Sequence, residues 1–161
     1  MPDKRSQGTI FAACTEEGSF IPIAKTDYDL IRDMLHVALV DYESAKQWQK
    51  QAPKESGQWN AIYKLTYDVF HALAEAFLLF DKIKARTHEC LFAYLVAKHP
   101  ELEFDWNFLE KIRTRRNRSI YYGEPSSYSD WKSIELQLGL YISALRKEIG
   151  NELMKTGKNP A

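Results

Sequence analysis

Apolar residues in this chain return at intervals of three and four rather than two, the periodicity of helices and not of strands. Ile31, Leu35, Ala38, Tyr42 and Ala45 share one helical face, and Trp48 continues it toward the polar stretch Gln49 to Gln58. Thr26 offers a hydroxyl to a free backbone N–H, with Asp29 three residues on in capping-box position, so a first long helix is expected to open there. A second is expected from about Trp59 to Ile83, carrying Ile62, Leu65, Val69, Leu73, Ala76, Phe80 and Ile83 on its main face. Phe70, Phe77 and Leu78 lie off that face, so its second half is expected to be buried nearly all round, in a bundle or against a second subunit.

Thr87 can cap a shorter helix, His88 to Lys98, ended by Pro100. Asp105 can cap the next, which carries Phe108, Leu109 and Ile112 into a basic stretch and reaches Tyr121 and Tyr122 before Gly123 and Pro125 stop it. Ser127 and Asp130 repeat the capping-box spacing and open a closing helix whose face is Trp131, Ile134, Leu138, Tyr141, Ile142, Leu145 and Ile149. Near the start, Ile10 to Glu17 forms a short helical turn stopped by Gly18, and Pro22 keeps Ile21 extended. No alternating run is long enough to suggest a sheet. The pattern predicts an all-α, up-and-down bundle of four to five helices over residues 26–154, with an N-terminal segment 1–25 and a polar tail 155–161.

Composition narrows the class. With 161 residues the chain is about one domain, and 45% apolar with 27% charged residues is the balance of a packed protein, not a disordered one. Lys and Arg number 22 against 22 Asp and Glu, so a binder of bulk DNA is not expected, although a local basic patch is compatible. No apolar run, Ala76 to Phe80 included, is long enough to cross a bilayer, and the first residues do not resemble a signal peptide. Cys14 and Cys90 suit neither a zinc set nor a disulfide framework, so a reducing cytoplasm is the simple reading. The expectation is a soluble cytoplasmic protein with no membrane partner.

Charge concentrates in one place. From Lys111 to Arg118 five of eight residues are cationic: Lys111, Arg113, Arg115, Arg116 and Arg118. Arg113 and Arg118 suit a solvated helix end, where cations meet the negative pole of the macrodipole. Arg116 differs, because Leu109, Ile112, Arg116 and Ile120 follow one another at helical spacing. A guanidinium on that stripe needs an acid, an interface or a ligand, unless its aliphatic stem carries it out to water. Asn117 adds a planar donor and acceptor beside it, and Tyr121 and Tyr122 follow one turn later.

The run Arg116-Asn117-Arg118-Ser119-Ile120-Tyr121 resembles the Arg-Asn-three-residues-His signature of HEPN domains (higher eukaryotes and prokaryotes nucleotide-binding). The neighbouring chain is similar too: a second helix rich in Ala, Leu and Phe, a Thr87-His88-Glu89 helix opening and a long closing helix, together spanning roughly Gly8 to Leu153. The resemblance implies a homodimer that brings two copies of the motif together across a cleft, with Arg116 near the twofold axis. It implies RNA or a nucleotide as ligand, and for many members metal-independent ribonuclease activity in toxin–antitoxin or defence systems, often beside a nucleotidyltransferase partner.

One departure bears on activity. Where ribonuclease members use His for proton transfer while Arg stabilises the charged phosphorane, this chain has Tyr121, and a phenol of pKa ~10 is a poor base near neutrality. Asp68, His71 and Glu75, at i, i+3 and i+7 with Lys64 one turn earlier, form a polar strip on the second helix. That strip is either solvated or approaches Arg116, and His71 is the histidine to test as a stand-in. His88 reads as a helix-start residue, and His36 and His99 have no companions in the sequence. No metal-ligand spacing and no cofactor motif is present. Three readings follow. The first is a noncatalytic or weakly catalytic dimeric module whose cleft, built on Arg116, Asn117 and Tyr121 with Arg113, Arg115, Arg118 and Tyr122, binds RNA, a nucleotide or a partner. The second is a ribonuclease toxin using Arg116, Asn117 and Tyr121 with support from Asp68, His71 or Glu75. The third is a structural interaction domain whose basic cluster pairs with Glu101, Glu103 and Glu110.

Overall fold

A computed structural model describes residues 5–157, and it is an all-α bundle with one small two-stranded sheet. The part of the expected polar tail past residue 157 lies outside the described residues. In chain order the elements are α1 (Gln7–Glu16), β1 (Phe20–Pro22), α2 (Tyr28–Gln51), α3 (Gln58–Leu78), β2 (Ile83–Ala85), α4 (His88–Lys98), α5 (Trp106–Tyr122), α6 (Tyr128–Lys132) and α7 (Glu135–Lys155). Short 3₁₀ turns, Leu79–Asp81 and Pro100–Leu102, follow α3 and α4.

Helix α3 is the centre. Its Tyr63, Tyr67, Phe70, Leu73, Phe77 and Leu78 are buried, and α2, α4, α5, α6 and α7 all pack on it. That is the all-round burial its composition called for, satisfied within one chain. From α2 come Ile31, Leu35 and Ala38, and from α7 Leu138, Ile142, Leu145 and Ile149, all inside the same core.

Caps explain most of the helix starts. Thr87 accepts from the Cys90 N–H, Asp105 from Phe108 N–H, and Ser127 and Asp130 complete a reciprocal capping box. Elsewhere the structure corrects the sequence reading. The cap of α2 is Asp27, which accepts from Leu30 N–H, while the Thr26 hydroxyl donates to the Leu79 carbonyl. A shift of one residue thus ties the start of α2 to the end of α3. The second helix stops at Leu78 rather than Ile83, because Lys82 turns left-handed (φ 59°) and Ile83–Ala85 pair antiparallel with Phe20–Pro22. Three-residue strands are too short to show alternation. The expected single closing helix breaks after Lys132, where the Ser133 hydroxyl bonds the Asp130 carbonyl and Ile134 leaves helical geometry before α7 begins.

The cysteines are the largest correction. Cys14 of α1 and Cys90 of α4 form a disulfide across 76 residues, with Cα atoms 5.8 Å apart. Both sit in a small satellite core with Ile10 and Ala93, flanked by Phe11, Phe20, Ala85 and Trp106. The bond removes the ground that unpaired thiols gave for a reducing compartment. No described helix is long and apolar enough to cross a membrane.

Candidate functional site

Arg116 stands where the stripe on α5 leaves the core. Leu109 and Ile112 are fully buried, the Arg116 side chain is 19% exposed, and Ile120 is 40% exposed. The guanidinium meets Asp68 of α3 through one nitrogen at 3.4 Å and lies over the Tyr67 ring, 5.4 Å from its centroid. Its Nε is buried and has no hydrogen-bond partner. Of the five donors a guanidinium carries, few are spent. The expectation that Asp68 approaches Arg116 holds within one chain. Burial raises the Asp68 carboxyl above its ordinary range, and Arg116 opposes that shift.

Beside this pair stands a feature that the sequence reading assembled only in part. The rings of His71 (α3) and His88 (first residue of α4) stack with centroids 3.7 Å apart and planes 25° from parallel. His71 Nε2 lies 3.7 Å from Glu75 Oε1, and burial raises Glu75. His88 Nδ1 is 2.8 Å from the Tyr67 hydroxyl. Tyr67 has no other acceptor among the described residues, so its O–H donates and Nδ1 accepts, which leaves the His88 proton on Nε2. Burial drives the His71 pKa down to about 3, with His88 and Arg116 adding to the shift. Burial also lowers His88, reinforced by Arg116 and Arg113. Both imidazoles are therefore neutral at physiological pH. Burial holds the Tyr67 phenol well above its usual pKa.

The other arginines of α5 make closer ion pairs, although the Arg115 Nε is also buried without a hydrogen-bond partner. Arg113 makes a bidentate pair with Glu110 (2.8 Å twice) and reaches Glu89 at 3.6 Å. Burial works against its charge, yet those acids hold it above the ordinary guanidinium range. Arg115 binds Asp130 at 2.9 Å and the Pro125 carbonyl at 2.5 Å, and Arg118 pairs with Glu124 at 2.6 Å. Glu110 thus acts as the third reading expected, whereas Glu101 pairs with His99 instead. Tyr121 and Tyr122, 71% and 76% exposed, stand out from the end of α5 and take no part in the cluster. Asn117 is half-buried beside Arg116.

The structure therefore gathers Arg116, Asp68, His71 and Glu75 from the expected set, adds Tyr67 and His88, and leaves Tyr121 and Tyr122 outside. The signal for His88 was present in the sequence as Thr87-His88-Glu89, but a cap position conceals a tertiary partner on another helix. Chemically, the cluster offers a cation with unspent donors beside two uncharged imidazoles, a setting for an oxyanion. The chain matches no protein-family model, no curated protein and no solved structure.

Proposed function

We propose that this chain is a HEPN-like helical module that binds RNA at Arg116, the phosphate contact, with Tyr67, His71 and His88 as its surroundings. The observation that carries the reading is the Arg116 guanidinium, four-fifths covered, held by a single one-nitrogen ion pair, with a buried Nε lacking a partner. A cation placed so expensively gains most when a second anion completes its donors. The Arg-Asn resemblance and the order of helices support the same reading, as they do a homodimer around this face.

Fluorescence anisotropy with a single-stranded RNA oligonucleotide over a salt series tests it. The affinity falls as salt rises, because phosphate contacts release counterions. Arg116→Ala weakens binding about tenfold, the scale of one charge-assisted contact. Tyr121→Phe changes it by less than about twofold, since Tyr121 lies outside the cluster. Unchanged affinity in Arg116→Ala overturns the proposal.

The stacked histidines favour a second reading, a metal-independent ribonuclease in which His71 and His88 replace the imidazole missing from the motif. An imidazole of low pKa is a weak base, and an anion bound beside it raises that pKa. On this reading the protein cleaves RNA in chelator. His71→Asn or His88→Asn then lowers the rate by ~10²–10⁴ while RNA affinity is retained. RNA bound but left uncut in chelator leaves the binding module standing alone.

A further inference from the structure

A second hollow lies on the other side of α3. Thr66 lines it and Asp68 faces Arg116; two residues on a helix are about 200° apart, so the two sites are separate. The cavity, about 480 Å³, sits between the C-terminal half of α2, the 52–57 loop, α3 and α6. Cavities of that size accept small organic ligands.

Its walls combine two chemistries. Tyr42 and Tyr128 are half-buried, and behind them Trp59 packs edge-on against Tyr128 with centroids 4.8 Å apart. Trp131 also belongs to the wall, and its buried indole N–H has no hydrogen-bond partner. Around the rings stand Lys46, Lys50, Lys54 and Lys132, against one carboxylate, Glu135. Lys132 already pairs with that carboxylate, and Lys46 pairs with Glu43 at 3.0 Å. Lys50 and Lys54 take part in no ion pair among the described residues. Two lysines cover the aromatic faces: Lys46 lies 4.8 Å from the Tyr42 centroid and Lys54 lies 5.4 Å from that of Tyr128.

We propose that this cavity binds a nucleoside di- or triphosphate, its base on the Tyr42 and Tyr128 rings and its phosphates among Lys50, Lys54 and Lys132. A planar base exchanges the cation–π contacts of Lys46 and Lys54 for stacking. The released Lys54 ammonium then meets the phosphates, while Lys46 keeps its ion pair with Glu43. Lysines act as compact point charges suited to a tetrahedral, multiply charged anion, whereas a carboxylate calls for the planar fork of arginine, absent from this lining. Aromatic wall and lysine rim together need a ligand with both a flat ring and several negative charges. The proposal stands apart from RNA binding at Arg116.

Quenching of tryptophan fluorescence and isothermal titration of the full chain, in chelator, test it with three probes: ATP, adenosine and inorganic triphosphate. ATP binds at least about tenfold more tightly than either part alone, since each satisfies only one half of the site. The Lys50→Ala/Lys54→Ala double variant, at exposed positions that leave the fold intact by circular dichroism, weakens ATP by about tenfold or more. Tyr128→Leu weakens ATP while leaving inorganic triphosphate unchanged. Arg116→Ala binds ATP as the native chain does. The proposal is overturned if ATP does not bind, if inorganic triphosphate binds equally well, if the double lysine variant matches the native chain, or if Arg116→Ala abolishes ATP binding.

Discussion

Helix α4 has a histidine at each end, and their surroundings push the two pKa values in opposite directions. His88 is its first residue, stacked on His71 with Arg116 and Arg113 nearby, and burial followed by those cations lowers its pKa. His99 caps the other end, 2.5 Å from Asp81, 2.9 Å from Glu101 and tilted against the Phe77 ring with centroids 4.6 Å apart. There the hydrogen bond to Asp81 raises its pKa, burial opposes it, and Glu101 adds to the rise. The helix dipole pushes the same way at both ends, since its positive start disfavours imidazolium and its negative end favours it. One residue type is thus a proton-refusing neighbour of Arg116 at the start and a proton-favouring structural clasp at the finish. Charge state comes from the surroundings, and it separates the end suited to ligand chemistry from the end suited to stability.

The strongest way to break this contrast is to loosen the start. Cys90, two residues after His88, ties the first turn of α4 to α1, whereas His99 is held by ion pairs that need no covalent bond. Closing a loop of this length is worth about 4 kcal/mol on a chain-entropy account. Urea unfolding of the oxidised protein against Cys14→Ser/Cys90→Ser is expected to show a loss on that scale. Hydrogen exchange should speed up in α1 and the first turn of α4, with the turn around His99 unaffected. Equal stability of the two forms would mean that packing of Ile10 and Ala93 alone holds this end.

Acid probes the same end without changing the covalent chain. His71 binds its proton near pH 3 when folded and near ~6.5 when unfolded, so below ~6.5 the unfolded chain takes up a proton that the native state refuses. Stability therefore falls with pH from ~6.5 down toward about 3, at about 1.4 kcal/mol per unit, or about 2 kcal/mol by pH ~5. His88 contributes with the same sign. Asp68 and Glu75, raised by burial, bind protons more readily when folded and offset part of the loss in the carboxylate range. His71→Gln should flatten the slope between pH 7 and 5 in urea titrations. Parallel slopes for the two proteins would show that His71 is already charged in the native state, ending the contrast.

How much of this was legible follows the range of each interaction. The Thr87, Asp105 and Ser127 caps act within three residues and were readable, as was the Arg116 anomaly, because a charge on an apolar stripe shows in one dimension. Asp68 was named because it shares a helix face with His71 and Glu75, so one approach to Arg116 placed the strip. His88 does open a helix, as read, but its partner Tyr67 lies 21 residues away and was hidden. His99 was read as without companions although Glu101 is two residues on, and its second partner, Asp81, lies 18 away. The disulfide spans 76 residues, and two cysteines alone carry no periodic signal. The break at Ser133 was hidden because Trp131, Ile134 and Leu138 keep helical spacing across it; their burial is the same with or without a continuous helix.

The finish of α4 gives the smallest effect and the opposite sign. A histidine whose folded pKa is raised adds stability that is fully present below its unfolded value of ~6.5 and is lost as pH rises through the folded value. His99→Gln should therefore cost about 1 kcal/mol near pH 6, since two charge-assisted bonds are lost but both acids are partly exposed and screened. The gap from the native protein should narrow as pH rises past neutrality, whereas His71→Gln differs most from the native protein in acid. A constant gap across the range would assign His99 to packing on Phe77 rather than to charge, and only the start of α4 would then be electrostatic.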